Sequence, residues 1–486
     1  MTIIYEEQAA EHIHGICLKT GPPRLVGVEL EWLVRDAHDP ALPVPAERIR
    51  DAVAAFVPAP RPPSASGPPS ASGLPSNDSP GVLPSGAFLT AEPGGQLELS
   101  SQPADSLADC VRATTADLAA LRATLGAADL ELAGIGLDPL RPPRRILNLP
   151  RYSAMEGFFD RGGPWGRQMM CTTASVQVCL DAGDDSDGYL GYRWRWRLLH
   201  AIGPVLVAAF ANSPLRGGRP TGWQSSRQQV WAHMDPGRTR PPRLNGDRLN
   251  GDRLNGDRLN GAPSEGHLGD PRAAWVEYVL DAQVMCVREP DSDDWSAPPG
   301  LTLRDWVRGR PRSNHASNGG TRLRAPTTDD LAYHVSTLFP PVRPHGHLEL
   351  RMIDAQPGDG WIVPLAVTTA LLGDERASAA AMAAADRLWA GHGPAGEWSR
   401  ATGRLAGPRA ESGTEAGAEN PWPRAARLGP ADPAIARASR ECFAAARAAL
   451  DKMDAHAEIT TAVDAFIERY VSKDRCPADD LLEQTE

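Results

Sequence analysis

The sequence predicts an α+β fold in which one sheet carries the chemistry. Several short stretches alternate apolar and polar residues with the two-residue period of a strand. The polar members of those stretches are carboxylates and amides, set opposite valine, leucine and tryptophan. Helical stretches, one of them wholly apolar, lie between the strands and can cover an apolar sheet face.

The first strand is Val26-Gly27-Val28-Glu29-Leu30-Glu31-Trp32-Leu33, with Val28, Leu30 and Trp32 on one side and Glu29 and Glu31 on the other. Adjacent carboxylates on one face repel each other unless water, a proton or a cation intervenes. Alone, the pair also fits a charged edge strand. The pattern recurs, however. Glu92-Pro93-Gly94-Gly95-Gln96-Leu97-Glu98-Leu99-Ser100 sets Gln96 and Glu98 opposite Leu97 and Leu99. Ser175-Val176-Gln177-Val178-Cys179-Leu180 places Gln177 between two valines, and His347-Leu348-Glu349-Leu350-Arg351 groups His347, Glu349 and Arg351. If these strands share a sheet, its polar face holds Glu29, Glu31, Glu98 and Glu349 with Gln96, Gln177, His347 and Arg351. Oxygen-dominated ligation of this kind suits Mg²⁺ or Mn²⁺ rather than zinc.

Composition narrows the function. A net charge of −11 over 486 residues argues against a nucleic-acid footprint. No apolar run reaches membrane-spanning length, and the N-terminus lacks the basic and apolar regions of a signal peptide, so a cytoplasmic protein is expected. Seven scattered cysteines without CxxC fit a reduced protein with neither a disulfide framework nor a zinc site. Neither GxxxxGK[ST] nor a strand–GxGxxG–helix pattern occurs. Lys19, Lys452 and Lys473 are the sole lysines among fifty basic residues, so phosphate must be held by metal and by arginine.

The remaining elements follow in chain order. Residues 5–20 read as a short helix. Residues 58–86 are a Pro/Ser/Ala/Gly insertion with Pro-Pro-Ser-Ala-Ser-Gly repeated at 62–67 and 68–73, a composition too poor in apolar surface to order itself. A helix is expected at 105–126, a strand at 129–138, then a Pro/Arg loop to Arg151-Tyr152. A glycine-rich turn at 162–167 leads into a strand at 169–181, and an apolar helix spans 190–211. Arg-Leu-Asn-Gly-Asp repeats from 243, far shorter than a solenoid unit, read as a second low-complexity insertion within 241–268, and deletion of 243–262 is expected to leave activity unchanged. A strand is expected at 275–287, helices at 301–308 and 328–338, and an all-apolar helix from Val363. Residues 391–428 read as a flexible loop, and helices at 432–453 and 457–471 as packing elements. The domain plan is a catalytic unit over 1–390 with C-terminal helices, 429–472, packed on it.

Taken in order, these blocks resemble the glutamate–cysteine ligases of the plant and bacterial type 2 class, in particular the actinobacterial enzymes of ergothioneine biosynthesis. The resemblance rests on Val26–Trp32, Thr90–Ser100, Gly166–Val178, Ser226-Arg227 with Trp231, Asp235 and Arg238-Thr239, and Thr337–Arg343 followed by His347–Arg351. It covers roughly residues 20–375 outside the two insertions. It implies a glutamine synthetase-like fold: a curved antiparallel sheet whose concave face binds metals, ATP and glutamate, with helices on the outer face.

The implied reaction is ATP-dependent. The γ-carboxylate of L-glutamate attacks the terminal phosphate of ATP, and the amine of L-cysteine displaces phosphate from the γ-glutamyl phosphate. Both partners of the first step are anions, so divalent ions between carboxylates and phosphates lower the barrier. The resemblance makes Glu29, Glu31, Glu98, Gln177 and Glu349 the metal-ligand candidates, with Glu98 and Arg351 catalytic and Arg351 contacting the transferred phosphoryl group. Arg227 and Arg167 are candidates for substrate carboxylates, and Trp231, Met155 and Tyr333 for the amino-acid pockets. Cys171 and Cys179 read as small buried hydrophobes, because the reaction needs no enzyme thiolate. His347 fits either a supporting role or a base for the incoming amine. Replacing Glu98 or Glu349 by glutamine is expected to abolish turnover and leave a folded protein with added heat stability in the absence of metal. A ligase joining glutamate to another amine would share these motifs, whereas the intact set of Glu29, Glu31, Glu98, Glu349 and Arg351 argues against the other alternative, a non-catalytic ligand-binding relative. The partners expected are small molecules, with neither nucleic acid nor membrane.

Overall fold

The structure is a computed structural model that describes residues 5–57, 74–76, 79–242, 270–289, 292–309, 323–390, 420–453 and 455–485. Both repeat tracts, and the loop expected at 391–428 up to residue 419, lie outside the described residues.

Its centre is an eight-stranded mixed-length sheet with antiparallel pairing throughout. The strands are β1 (Val26–Asp36), β2 (Gly81–Val82), β3 (Phe88–Ala91), β4 (Leu97–Ser100), β5 (Leu130–Ala133) and β6 (Ser175–Leu180). A separate hairpin, β7 (Leu215–Arg216) and β8 (Arg219–Pro220), precedes the last two sheet strands, β9 (Val342–Pro344) and β10 (Leu348–Asp354). The sheet order is β2-β3-β4-β1-β6-β10-β9, and β5 pairs with the far half of β1. The longest strand, β1, is thus central and joins β4 on one side to β6 on the other.

Alternation sorts each strand as the sequence predicts. Val28, Leu30, Trp32, Leu97, Leu99, Val176, Val178, Leu348 and Leu350 are all buried within one apolar cluster. Burial of each such side chain stabilises the fold by roughly 1.5–3 kcal/mol. Helices Leu107–Gly126, Tyr192–Ala209 and Ile362–Gly373 pack on the sheet. The first starts at the Ser106 cap, whose hydroxyl accepts from the Asp109 amide at 3.1 Å. The last has every residue from Ile362 to Leu372 buried, as a helix enclosed on all sides must. The C-terminal helices Pro433–Lys452 and Ala457–Arg469 lie outside these, where Phe443 and Phe466 close around Phe210. The apolar cluster is continuous from β1 to these helices.

Four local expectations are corrected. Residues 271–281 form a helix, not a strand from 275: Asp270 caps it by accepting from the Arg272 amide, and Pro271 occupies the first turn. Residues 165–172 form a helix, so strand β6 starts at Ser175 rather than 169. That helix packs on an unexpected one, Pro150–Asp160, with so little space that a Cβ on Gly166 would lie 2.1 Å from Phe159 Cβ. Pro421–Leu428, expected as loop, is a helix whose Trp422 fits against Gly203 of helix Tyr192–Ala209. Among the described residues no helix is long and apolar enough to cross a membrane.

Candidate active site

Residues directly opposite one another in a sheet point to the same face, so strand register builds the site. Glu31 pairs with Glu98 across β1 and β4, and Glu29 with Gln177 across β1 and β6. Thr90 of β3 pairs with Glu98. A tight turn extends the β3–β4 hairpin: the Glu92 amide donates to the Gln96 carbonyl at 2.8 Å, and Gly95 adopts φ 89°. A side chain at Gly94 would meet the Cys171 carbonyl at 2.2 Å, so glycine lets this turn dock on helix Trp165–Thr172. Gln96 fastens it, accepting from the Gly94 amide and donating to the Met170 and Thr173 carbonyls. The turn thereby brings a fourth carboxylate, Glu92, beside Glu29, Glu31 and Glu98.

The four carboxylates line one cavity of about 340 Å³, whose walls include Arg151, Arg227, Arg343 and Arg351. Burial, with the Glu349 and Glu31 charges, pushes the Glu29 carboxyl up to about 7 despite the opposing pull of Arg343 and Arg351. Burial and Glu31 push Glu92 up to about 7. Glu98 rises well above the usual range through burial and the charges of Glu29, Glu92 and Glu31. Its oxygen accepts from the Thr90 and Ser100 hydroxyls at 3.1 and 3.4 Å. Glu31 accepts from the Ser175 hydroxyl at 2.9 Å and the Gln177 amide at 2.7 Å.

Glu349 differs. It is 1% exposed, and Arg343 grips it with two bonds, Nε at 2.7 Å and Nη2 at 3.0 Å, while Arg351 also donates to it. Burial alone would raise its pKa, yet these two guanidiniums hold it down to about 2. Arg351 leaves the regular register: a one-residue shift between Leu350 and Ile353 marks a β-bulge in β10, a device that re-aims side chains. Arg351 donates to the Gln177 amide oxygen as well as to Glu349, and its Nε has no hydrogen-bond partner among the described residues.

Arg227 stands at the start of helix Ser226–His233 with its guanidinium over the Trp231 ring, 4.5 Å from the centroid. Its Nη2 donates to the Arg351 carbonyl at 2.7 Å. Arg151, on helix Pro150–Asp160, donates to the Ser336 hydroxyl and carbonyl and covers the Tyr333 ring.

Of the residues singled out in the sequence, Glu29, Glu31, Glu98, Arg227, Trp231, Met155 and Arg351 line the cavity. Gln177 is fully buried beneath it, its amide committed at both ends to Glu31 and Arg351. Tyr333 does not line the cavity and touches the site through Arg151. Arg167 is not brought there either. It is half exposed on its helix and paired with Asp160 at 2.6 Å and Glu156 at 3.1 Å. His345, not His347, faces the cavity. Cys171 and Cys179 are free thiols with pKa values raised by burial, and all seven cysteines are unpaired.

Sequence reasoning missed Glu92, Arg151 and Arg343. The signal for Glu92 was present: continuing the Thr90–Glu98 register through the turn places it on the acidic face. Among the described residues no three His, Cys, Asp or Glu side chains converge into a ready-made metal cage. The donor set nonetheless fits Mg²⁺, which binds through one or two carboxylates together with substrate phosphates. Mutual repulsion among the carboxylates is a strain that either a proton or a cation would relieve.

The glutamate–cysteine ligase family 2 model matches residues 25–254 and 258–486. Glutamate–cysteine ligase EgtA of Mycobacterium tuberculosis (strain ATCC 25618 / H37Rv) is 34% identical over 480 residues, covering 98% of this chain and 89% of that protein. EgtA of Mycolicibacterium smegmatis is 36% identical over 484 residues, with 98% and 91% covered. The chloroplastic glutamate–cysteine ligase of Medicago truncatula is 28% identical over 272 residues, 55% of this chain and 47% of that one. The likeness to the two EgtA proteins spans almost the whole chain, from the acidic strands to the C-terminal helices, and the chain belongs to glutamate–cysteine ligase family 2.

Proposed function

We propose that the chain is an ATP-dependent ligase joining the γ-carboxylate of L-glutamate to the amine of L-cysteine, giving γ-glutamylcysteine for ergothioneine biosynthesis. The observation that carries this reading is the gathering of Glu29, Glu31, Glu92 and Glu98 in one cavity with Arg351 and Arg227, within a chain so similar to two glutamate–cysteine ligases. The architecture is then that of a glutamine synthetase-like catalytic unit, its acidic sheet face turned to the substrates, working in the cytoplasm where ATP is supplied.

In this reading Glu29, Glu31, Glu92 and Glu98 hold Mg²⁺ or Mn²⁺, which supplies neutralisation and alignment of the ATP phosphates. Glu349 becomes a ligand only by giving up bonds to its arginines, and Gln177 serves by fixing Glu31 and Arg351. Arg351 presents its free Nε–H to the phosphoryl group, where charge grows as phosphorus passes from ADP to the γ-carboxylate oxygen. Attack of the cysteine amine at the acyl carbon then expels phosphate, and the amine proton leaves. Arg227 pairs with a substrate carboxylate while Trp231 and Met155 shape the amino-acid pocket.

The test offers ATP, Mg²⁺ and glutamate with cysteine, alanine, serine or ammonia in separate reactions, following phosphate release and product mass. A γ-glutamyl product with cysteine preferred is expected. Turnover with another amine preferred overturns the acceptor, and absence of nucleotide turnover with every amine overturns the reading.

A further inference from the structure

Arg227 is 1% exposed, yet its Nε and Nη1 have no hydrogen-bond partner among the described residues. Buried unpaired donors on a charged group are costly, and Arg227 is part of the cavity wall. Behind the guanidinium lies Asp354, 2% exposed, with Oδ1 3.8 Å from Arg227 Nη1. That separation is too long for a hydrogen bond but short enough for charge to act strongly in a dry interior.

Asp354 is itself fully built in. Its Oδ2 accepts from the Asn212 amide at 2.9 Å and the Ser213 hydroxyl at 2.7 Å, and its Oδ1 from the Ser225 hydroxyl at 3.0 Å. Those two hydroxyls in turn accept from the Arg227 and Gln228 amides, so the carboxylate sets the first turn of the helix that carries Arg227 and Trp231. Gly136 leaves it room, for a Cβ there would lie 2.5 Å from Asp354 Cγ. Asp354 also ends β10, three residues beyond Arg351, whose carbonyl receives Arg227 Nη2. One strand therefore aims both arginines.

We propose that Asp354 is a positioning residue, holding the Arg227 guanidinium at the wall of the cavity for the carboxylate of an amino-acid substrate. This rests on the amino-acid ligase reading above. Asp354 touches no reacting atom. It acts by fixing the helix start through two serines and by orienting the cation through charge.

The test is Asp354→Asn, with KM measured separately for glutamate, cysteine and ATP, kcat at saturation, and a melting curve. The expected result is a rise of about tenfold or more in KM for one amino acid, larger than any fall in kcat, with KM for ATP within about twofold. Adding Asp354→Asn to Arg227→Gln should raise that KM little further, since both changes remove one interaction. Equal shifts in all three KM values with a lowered melting point would show a purely structural role and overturn the proposal, as would unchanged amino-acid KM values. If Asp354→Asn fails to fold, Ser225→Ala, which deletes one hydroxyl bond to Oδ1, carries the same test with the same two outcomes. Absence of turnover in the wild type overturns the ligase reading and this proposal together, whereas an active wild type with an insensitive variant overturns the positioning role alone.

Discussion

Two groups of carboxylates share the acidic sheet face, and their electrostatics are opposite. Glu29, Glu92 and Glu98 crowd one cavity, and burial with the charges of neighbouring glutamates raises all three. Glu349 lies two strands away and is held down to about 2 because Arg343 and Arg351 outweigh the effect of burial. Sequence alternation treats Glu29, Glu98 and Glu349 as equivalents, since each sits between apolar neighbours on a strand. The structure separates carboxylates crowded by one another from a carboxylate already balanced by arginine.

The largest effect that would test this contrast is on turnover. Glu98→Gln should lower kcat by about a thousandfold or more, on the scale of losing a principal electrostatic contact, while the metal-free protein melts no lower than the wild type because repulsion has been relieved. Phosphate release and melting in chelator check both halves. Glu349→Gln should behave differently from Glu98→Gln, unlike the expectation drawn from sequence: it strands Arg343 and Arg351 in the interior, costing about 3–5 kcal/mol. Denaturant unfolding measures this, and Arg343→Gln added to Glu349→Gln should recover part of the loss. An Arg343→Gln/Glu349→Gln protein no more stable than Glu349→Gln would break the comparison.

A smaller effect is in pH. Without metal, Glu92 titrates near 7 in the fold against about 4.3 when unfolded. The folded state thus holds this proton more tightly, and the resulting stability is present below about pH 4.3 and lost as pH rises to 7. Glu349 has the reverse sign: its contribution is present above about 4.3 and lost as pH falls toward 2. Glu92→Gln should therefore gain on the metal-free wild type by up to about 1.4 kcal/mol per pH unit between 4.3 and 7, and divalent cation should shrink the gain. A pH-independent difference would show that Glu92 is not electrostatically strained.

Much of the sheet was legible in the sequence because strand alternation is a local property. Glu29, Glu31, Glu98, Gln177 and Glu349 lie on the polar face, and the leucines and valines between them are buried. Arg167 was made a substrate-carboxylate candidate by the resemblance and read as part of a glycine-rich turn at 162–167, where the structure has a helix from Trp165. A helix there turns Arg167 toward Asp160 and Glu156. The helix at 271–281 was legible in Asp270-Pro271, but the Trp/Val-rich run after it also suits a strand, and periodicity alone does not separate the two.

The sequence by itself determined which side chains share a face, because successive residues of a strand alternate whatever the sheet around them. Only the tertiary structure decided which of those charges are compensated. Arg343 reaches Glu349 because β9 pairs with β10, Arg351 points back to Gln177 because β10 carries a bulge, and Glu92 joins Glu98 because a glycine turn docks on a neighbouring helix. Coulomb energies depend on distances between strands and on exclusion of water, and both are set only when the sheet is assembled.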